Sequence, residues 1–424
     1  MRIRILTLLC SIWFICAIAL AARLGFLWYQ QHAIPHDVLA SVPFAQETGN
    51  IAYALANGKG FVNVFRQETG PTAWLTPVYP LLIAAIFRLF GSFTFASFLV
   101  AVILNSVFSA ATCVPIYYTA RRIANSRAAV LAAWLWALFP NAVMVPIQWI
   151  WSTSLAALLA ALLLWLSLEI ADSSRAVHWL GYGCLWGLAL LTEPALGALL
   201  PFLMAWLVYR SPSKKLGAWK FPVLSLAIVV LCCLPWTIRN YSAFHHFIPL
   251  RSNFAFELWI GNNDIFDPHA IHGIQRITRL EQSRRYTQLG ETAFMEEKWR
   301  MASDFIRTHP ALEVQLTARR ITATWLGTEH PLADFLSTNS LLARMLFICN
   351  FLLLVGTVAG MLRLFLRCNA CIFPVIVFPV VFPVVHYLTH TSLRYRHPID
   401  PVLMILTAIA FFVPPHSPKP SSPL

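Results

Sequence analysis

A glutamate on a short predicted helix is the first residue in the chain that could do chemistry. Phe44, Ile51 and Leu55 recur at helical spacing and form one apolar stripe, and Gly58 is suited to end the helix. Glu47 lies about 60° from the centre of this stripe at ~100° per residue, so we expect its carboxylate at the boundary between apolar surface and water. A half-buried carboxylate can serve as a general base. The alternative is an ordinary glutamate on the polar face.

Three arginines at the ends of apolar segments could bind an anionic substrate. Arg394 and Arg396 flank a tyrosine just before the last apolar segment, and Arg239 follows another such segment in the sequence PWTIRN. Guanidinium groups match phosphate oxygens, including bidentately. The alternative role is anchoring at the membrane edge. One acidic residue and several arginines at the rim of an apolar bundle suit a reaction on a lipid phosphate, whose tail stays in the bilayer.

The elements that must position these residues are membrane helices. The chain has 424 residues, of which 58% are hydrophobic and only 12% are charged, against roughly 25% charged residues in a soluble domain. This composition excludes a soluble enzyme, a disordered chain and a disulfide-rich secreted module. We predict an all-α polytopic membrane protein with about ten transmembrane helices, interfacial helices on the outer face and a small external, mostly helical region. The predicted spans are 5–29, 95–118, 128–146, 150–170, 177–192, 195–209, 221–238, 341–362, 370–388 and 399–414.

The distribution of basic residues sets the predicted orientation. The segment from Trp74 to Phe90 has 17 residues, and counting it as a span would place Arg121, Arg122 and Arg127 outside. If this segment lies in the outer interface instead, thirteen basic and two acidic residues face inward, a net charge of +11 that leaves +2 for the rest. The positive-inside rule favours this arrangement. We therefore predict a multi-pass cell (inner) membrane protein with both termini cytoplasmic and its active face outward, on the periplasmic side.

These predictions divide the chain into four parts. The N-terminal transmembrane bundle includes an outer loop over residues 30–94 with the interfacial helices. An external region and the C-terminal transmembrane helices follow, and the Pro/Ser-rich tail is predicted to be disordered. In chain order the parts are 1–238, 239–340, 341–414 and 415–424.

The remaining ionisable residues indicate no dedicated metal or redox site. None of the nine cysteines lies in the two outer segments, so no disulfide framework is predicted there. His386 and His390 have the i, i+4 spacing of metal ligands, but no acidic residue accompanies them. We predict no metal ligands and leave a loosely held divalent ion open. Arg23 is expected to extend to the membrane edge, and Glu193 to lie in a solvated turn or at a helix N-terminus.

Five motifs together resemble the glycosyltransferase-C superfamily, in particular the branch of protein O-mannosyltransferases and the lipid A aminoarabinose transferase. They occur in order over most of the chain: Glu47 followed by GNIA, GPTAWLTPVYP ending at Pro80, PWTIRNY ending at Tyr241, LRSNFAFELWIGN ending at Asn262, and RYRHP ending at Pro398.

The resemblance implies an integral-membrane glycosyltransferase that uses a polyprenyl-phosphate sugar on the outer face. The superfamily carries a catalytic acidic residue, usually Asp, in its first outer loop. Glu47 would therefore take the acceptor's proton in a single displacement with inversion, with Asp37 as the second candidate. Arg394, Arg396 and Arg239 would hold the donor phosphate. The matched motifs add further substrate-binding candidates, which are Tyr79, Asn262 and His397.

The resemblance implies no tightly bound cofactor, since the lipid-linked sugar is a donor substrate. The expected partners are membrane lipids, the donor, and a lipid, glycan or protein acceptor, with no nucleic acid. Two other functions remain as alternatives. A lipid-linked-sugar flippase or transporter would need a polar path through the bundle, which the few ionisable residues inside the apolar segments argue against. A glycan polymerase or ligase that uses polyprenyl diphosphate would share the arginine-rich outer loops.

Overall fold

The computed structural model shows a helical protein. It describes residues 9–33, 44, 46–65, 67–211, 217, 219–263, 281–328, 331–367 and 372–412. Asp37 and the tail predicted over 415–424 lie outside these residues. Within them, extended backbone pairs only at isolated bridges, such as the one between Phe44 and Ile150. The predicted all-α fold class is therefore confirmed.

The α-helices are labelled in chain order. The first ten are α1 (Ile12–Ala33), α2 (Gln46–Ala56), α3 (Val78–Phe90), α4 (Phe95–Ala111), α5 (Cys113–Ile123), α6 (Ser126–Leu138), α7 (Pro140–Gln148), α8 (Thr153–Ile170), α9 (Ala176–Leu190) and α10 (Leu200–Arg210). The next ten are α11 (Lys220–Phe244), α12 (Phe254–Gly261), α13 (Glu291–Thr308), α14 (Pro310–Leu326), α15 (Pro331–Ser337), α16 (Leu341–Leu366), α17 (Ile372–Val381), α18 (Val384–Leu388), α19 (Leu393–Arg396) and α20 (Asp400–Phe411). The 3-10 helices Pro194–Leu199 and His397–Ile399 precede α10 and α20.

Several of these helices are long and apolar enough to cross a membrane. Among the described residues, five helices meet this condition, and a sixth span results if α6 and α7, which meet at 43°, are counted as one. The five are α1, α4 continued by α5, α8, α11 and α16. Shorter apolar helices occupy three further predicted spans, at 176–190, 194–210 and 372–388. The chain is thus built as a multi-pass membrane protein, while the count of ten spans and the cytoplasmic location of the termini stay predictions.

The helix in the segment from Trp74 to Phe90 is shorter than a span. It begins only at Val78, and its 13 residues rise about 20 Å, less than the ~30 Å hydrocarbon core. Pro77 occupies the position before the helix, and the Thr76 hydroxyl donates to the Thr192 carbonyl at 3.0 Å. Its length agrees with the predicted interfacial position, which remains a prediction.

Close helix packing in the bundle depends on small residues. One face of α6 is buried through alanines, and α16 meets α20 at Gly360. A Cβ atom at Gly360 would overlap the carbonyl group of Leu406. Because lipid tails are as apolar as leucine, membrane helices associate through such close van der Waals contact rather than through the hydrophobic effect.

A buried arginine joins α1 to its neighbours. Arg23 has no exposed surface. Its Nε donates to the Ser109 hydroxyl at 2.9 Å, and its Nη1 donates to the carbonyls of Ala19 at 2.7 Å and Ala137 at 3.0 Å. The prediction that Arg23 extends to the membrane edge is therefore wrong. A guanidinium in hydrocarbon is costly unless it is satisfied, and these bonds satisfy it while tying α1 to α4 and α6.

A buried glutamate joins three distant parts of the predicted outer side. Glu291, at the start of α13, accepts hydrogen bonds from the Thr72 hydroxyl at 2.5 Å, the Ala73 N–H at 2.7 Å, the Ser252 hydroxyl at 2.6 Å and the Tyr286 hydroxyl at 2.5 Å. Hydrogen bonds to a charged acceptor are about twice as strong as neutral ones. The first outer loop and the external region are thus held as one body around this carboxylate.

Candidate active site

Arg394 lies in a cage of aromatic rings. Its guanidinium carbon is 4.1 Å from the ring centre of Trp151, 4.8 Å from that of Tyr395 and 5.1 Å from that of Trp149, which are attractive cation–π distances. Within the described residues, its one hydrogen bond runs from Nη2 to the Tyr395 hydroxyl at 2.9 Å, and no carboxylate pairs with it. Because a guanidinium has five N–H donors, most of those on this half-buried group are available to an anion.

The two tryptophans of the cage come from the segment that joins α7 to α8. Asn105 donates from Nδ2 to the Trp149 carbonyl at 3.4 Å, and its Oδ1 accepts from the Tyr79 hydroxyl at 3.0 Å. Tyr79 and Asn105 are both buried. Tyr79, predicted to bind substrate, therefore lies behind the tryptophan segment and fixes it through Asn105.

The helix that carries Glu47 begins beside the same segment. Phe44 pairs with Ile150 in a parallel bridge, and Ile150 stands between the two tryptophans. Glu47 lies three residues further on, in the first turn of α2, with its side chain half-buried. Three residues span at most about 10 Å, so this turn lies at the edge of the Arg394 cage. The structure thus places the start of the Glu47 helix beside the tryptophan segment, with the Glu47 side chain half-buried as the sequence predicts.

A chain of polar contacts continues from Tyr395. Its hydroxyl is 2.9 Å from Nε2 of His390, and Nδ1 of His390 is 3.2 Å from Oε2 of Glu257. The latter is an electrostatic contact rather than an aligned hydrogen bond. The other carboxylate oxygen of Glu257 accepts from Asn253 Nδ2 at 2.8 Å. Residues from α12, from the turn after α18 and from α19 thus converge behind Arg394.

Burial governs protonation in this cluster. It lowers the pKa of His390, partly opposed by the charge of Glu257, while Arg394 adds to the lowering. Burial also raises the pKa of Tyr395 to about 12, although Arg394 partly offsets the increase. At neutral pH the cluster holds a neutral imidazole and a neutral phenol. The phenol can therefore donate its proton to His390 while its oxygen accepts from Arg394.

A second cation near the cage is already paired. Arg251 lies 3.4 Å from the carboxylate of Glu193, and the two side chains are 27% and 21% exposed. Glu193 occupies the position before the 3-10 helix Pro194–Leu199, so one of its two predicted settings, a helix N-terminus, is present. The positive charge of Arg251 also acts to lower the pKa of Tyr395, which places Arg251 close to the cage.

Arg396 and His397 lie inside the bundle, unlike Arg394. Both have no exposed surface. Arg396 forms a 2.7 Å ion pair with Asp400 and donates to the Asn350 side chain at 2.6 Å and to the Trp325 carbonyl at 2.6 Å. Groups of the protein itself thus bind this guanidinium, and these contacts connect α19 to α14, α16 and α20.

Arg239 is likewise engaged by the backbone. It donates from Nη1 to the Thr72 carbonyl at 2.7 Å and from Nη2 to the Phe61 carbonyl at 2.5 Å. Its guanidinium also stacks on Phe61 and Trp236. Arg239 therefore holds the segment that contains Phe61 and Thr72 against α11. Thr72 in turn donates to Glu291, whose carboxylate and four donors are called the Glu291 centre.

Asn262 holds the turn that precedes His390. Its Nδ2 donates to the Leu388 carbonyl at 3.0 Å, and its Oδ1 accepts from Arg320 at 2.8 Å. The neighbouring Gly261 lies so close to the Thr389 carbonyl that a Cβ atom would overlap it. Asn262 is fully buried, so the structure gives it a role in orienting the His390 turn.

Sequence reasoning missed most of the cage. Trp149 lies between two predicted spans and Trp151 at the start of the second one, and His390 is considered only as half of a possible ligand pair. A signal was present: in extended backbone, side chains alternate, so the sequence WIW at 149–151 places both indoles on one side. Among the described residues, no three His, Cys, Asp or Glu side chains gather in a way that could hold a metal ion.

Comparison with known sequences identifies one matching family. The sequence model described as dolichyl-phosphate-mannose-protein mannosyltransferase matches residues 74–238. This segment runs from the end of the first outer loop into α11 and includes the tryptophan segment. No curated protein sequence matches the chain.

Two solved structures share the architecture, and a third aligns at a lower score. The chain aligns with the apo oligosaccharyltransferase of Archaeoglobus fulgidus with a TM-score of 0.55 and 14% identity, covering 94% of this chain and 50% of that one. For the oligosaccharyltransferase AglB of the same organism, in complex with an inhibitory peptide and a dolichol-phosphate, the TM-score is 0.50 and the identity 14%. The alignment covers 86% of this chain and 45% of that one. For ArnT from Cupriavidus metallidurans bound to undecaprenyl phosphate, the TM-score is 0.41 and the identity 15%, and the alignment covers 93% of this chain and 76% of that one.

The chain spans half or less of the length of the two oligosaccharyltransferase chains. The all-helical architecture, the family match and the alignments with these chains agree with one another, and they confirm the resemblance expected from the sequence motifs. The chain is a multi-pass membrane protein with the fold of the glycosyltransferase-C superfamily.

Proposed function

We propose that this protein is an integral-membrane glycosyltransferase. It transfers a sugar from a polyprenyl-phosphate donor to a hydroxyl group of an envelope lipid, glycan or protein on the outer face of the membrane. The observation that carries the proposal is the half-buried Arg394 cage, with its spare donors, beside the first turn of the Glu47 helix. The match to a mannosyltransferase family and the dolichol-phosphate complex of a protein with the same fold support it.

Arg394 is the residue that we assign to the donor phosphate. Its planar fork can bind two phosphate oxygens, and the indole rings hold it without neutralising it. Arg396 and Arg239, predicted for the same role, shape the site instead, because carbonyls and carboxamide or carboxylate groups occupy their guanidinium groups. Arg251 is a further cation that could turn from Glu193 to the phosphate.

The reaction that this arrangement suits is a single displacement. The acceptor oxygen forms a bond to the anomeric carbon as the bond from that carbon to the phosphate oxygen breaks, so the configuration inverts. The acceptor proton passes to the carboxylate of Glu47, acting as a general base. The electron pair of the broken bond stays on polyprenyl phosphate, and Arg394 stabilises the charge that develops there. Asp37 remains the second candidate for the base.

The experiment is a donor test on purified protein in detergent. Radiolabelled polyprenyl-phosphate hexose or pentose is incubated with an extract of envelope lipids and glycans, with wild type beside Glu47→Gln. Glu68→Gln is the matched control, because Glu68 lies in the same outer loop but is 85% exposed and paired with Lys59. We expect transfer by wild type and Glu68→Gln and its loss in Glu47→Gln, with donor binding retained.

The alternatives give different results in the same system. Normal transfer by Glu47→Gln and Glu47→Ala would remove Glu47 from the mechanism. A preference for polyprenyl diphosphate over monophosphate would favour a polymerase or ligase. Movement of the lipid-linked sugar across proteoliposomes containing this protein alone, without transfer, would favour the flippase.

A further inference from the structure

We propose that Tyr395, His390 and Glu257 are positioning residues that set the Arg394 guanidinium for an anionic phosphate. The inference rests on the proposed function for the identity of the ligand, a polyprenyl phosphate. Its argument comes from four side chains in contact: Glu257 with His390, His390 with Tyr395, and Tyr395 with Arg394.

Tyr395 holds Arg394 in two ways. Its ring lies 4.8 Å from the guanidinium carbon, and its hydroxyl oxygen accepts from Nη2 at 2.9 Å. The ring contact and the hydrogen bond together restrict the orientation of the guanidinium. A side chain that is already oriented loses less conformational freedom on binding. Tyr395 therefore strengthens phosphate binding without touching the phosphate.

His390 determines which way the Tyr395 hydroxyl points. A phenol has one proton, and it can accept from Arg394 only if that proton goes elsewhere. Nε2 of His390, 2.9 Å away, is an acceptor for that proton. The two rings meet edge to face at 85°, so His390 cannot swing out of line without losing this packing.

Glu257 lies at the far end of the chain of contacts. Three cations surround this region, Arg251, Arg320 and Arg394, and each acts electrostatically on His390 or Tyr395. A carboxylate 3.2 Å from Nδ1 of His390 favours the tautomer with its proton on Nδ1. That tautomer leaves Nε2 free to accept from Tyr395, which orients the phenol as Arg394 requires.

The test is a double-mutant cycle in donor-lipid binding. Equilibrium binding of radiolabelled undecaprenyl phosphate is measured on the full-length protein in detergent. The variants are Tyr395→Phe and His390→Leu, each alone and combined with Arg394→Ala, with His390→Gln as the conservative variant. Tyr241→Phe is the control, because Tyr241 is an exposed tyrosine on α11. Thermal unfolding of each variant confirms that it is folded.

We expect Tyr395→Phe to raise the Kd by up to roughly tenfold, because the less restrained Arg394 guanidinium would lose more conformational freedom on binding. His390→Leu should weaken binding, and His390→Gln less so, because its carbonyl oxygen can accept from the phenol. Neither Tyr395→Phe nor His390→Leu should weaken binding further once Arg394 is alanine. Coupling of this kind shows that the residues act through one another, whereas a merely structural role would add its effect to that of Arg394→Ala.

The inference would be overturned if Tyr395→Phe bound undecaprenyl phosphate as tightly as the wild type. Losses of binding that are fully additive with the loss caused by Arg394→Ala would also overturn it. So would the absence of undecaprenyl phosphate binding by the wild type. Failure of the proposed function has a different signature: coupled binding of the lipid phosphate with no sugar transfer from any donor.

Discussion

Arg394 and Arg396 are separated by a single residue, yet their side chains occupy opposite environments. Arg394 is half-buried among indole and phenol rings with one hydrogen bond, whereas Arg396 is fully buried and paired with Asp400 at 2.7 Å. Both lie in the single helical turn Leu393–Arg396, in which residues i and i+2 are about 200° apart. The motif therefore supplies one arginine to the site and one to the bundle.

Replacing Arg394 with lysine should distinguish the contribution of the positive charge to donor binding from that of the planar guanidinium. Lysine keeps the positive charge but lacks the planar fork that stacks on Trp151 and binds bidentately. We expect kcat/KM for the donor to fall at least tenfold, a loss of ~1.4 kcal/mol of transition-state stabilisation, with an unchanged Tm. Arg300→Lys, at an exposed position on α13, is the matched control. Unchanged kcat/KM in Arg394→Lys would mean that the cage does not bind the donor.

Replacing Arg396 should instead affect stability. Arg396→Met leaves the buried carboxylate of Asp400 without its partner, and breaking a buried pair from one side typically costs about 3–5 kcal/mol. We expect a large drop in Tm and in the yield of folded protein. The double variant Arg396→Met/Asp400→Leu should recover much of the loss, because it removes the orphaned charge. A single variant with the wild-type Tm would contradict the structural role.

Glu291→Gln should loosen the predicted outer side. The amide places an NH2 group at one of the two oxygen positions, where it faces either the Thr72 and Tyr286 hydroxyls or the Ala73 N–H and the Ser252 hydroxyl, so the present set of hydrogen bonds cannot persist. Each hydrogen bond to a charged group contributes about 1.5–3 kcal/mol. We expect a lower Tm and faster limited proteolysis in the loop before α3 and in the external region. Glu296→Gln, at an exposed position on the same helix, should behave as wild type, and equal protection of both variants would count against the Glu291 centre.

The stability of the protein should fall on mild acidification because of His390. Burial lowers the pKa of His390 in the folded state, so the unfolded state takes up the proton first as the pH decreases. The stabilisation is therefore complete above about pH 6.5 and is lost as the pH falls from there toward the folded-state pKa. Tm measured from about pH 7.5 to 5 should fall more steeply for wild type than for His390→Gln. Parallel curves would show that the pKa of His390 does not differ between the folded and unfolded states.

Sequence patterns predicted the fold class and, of the candidate site, the helix that carries Glu47. Apolar runs of helical length predict the membrane bundle because the bilayer dictates that length, and the apolar stripe with Glu47 predicts a helix that the structure contains. Arg23 and Arg396 could not be located in this way. Whether an arginine faces water or a bundle interior depends on carbonyls and side chains supplied by other helices, such as Ala137 for Arg23 and Asn350 for Arg396.

The cage around Arg394 could not be predicted from the sequence for the same reason. Trp149 and Trp151 are more than 200 residues from Arg394, and nothing local to either segment encodes the contact. Tyr79 and Asn262 were predicted to bind substrate because they lie in the matched motifs. A motif, however, does not distinguish a residue that contacts the ligand from one that holds the backbone behind it. Asn262 orients the turn before His390 through Leu388, and Tyr79 holds the Trp149 carbonyl through Asn105.

The Glu291 centre also has a consequence for biosynthesis. Thr72 is synthesised 219 residues before its acceptor, Glu291. At roughly 5–20 residues per second, Thr72 is made about 10–45 s before the carboxylate that fixes it. During this interval Thr72 and Ala73 lack their acceptor, and Ser252 joins them only 39 residues before Glu291 is made. A nascent chain arrested before Glu291 would therefore carry the tryptophan segment and the Glu47 helix without the carboxylate that fixes the loop before α3, and without Arg394, which is also still to come.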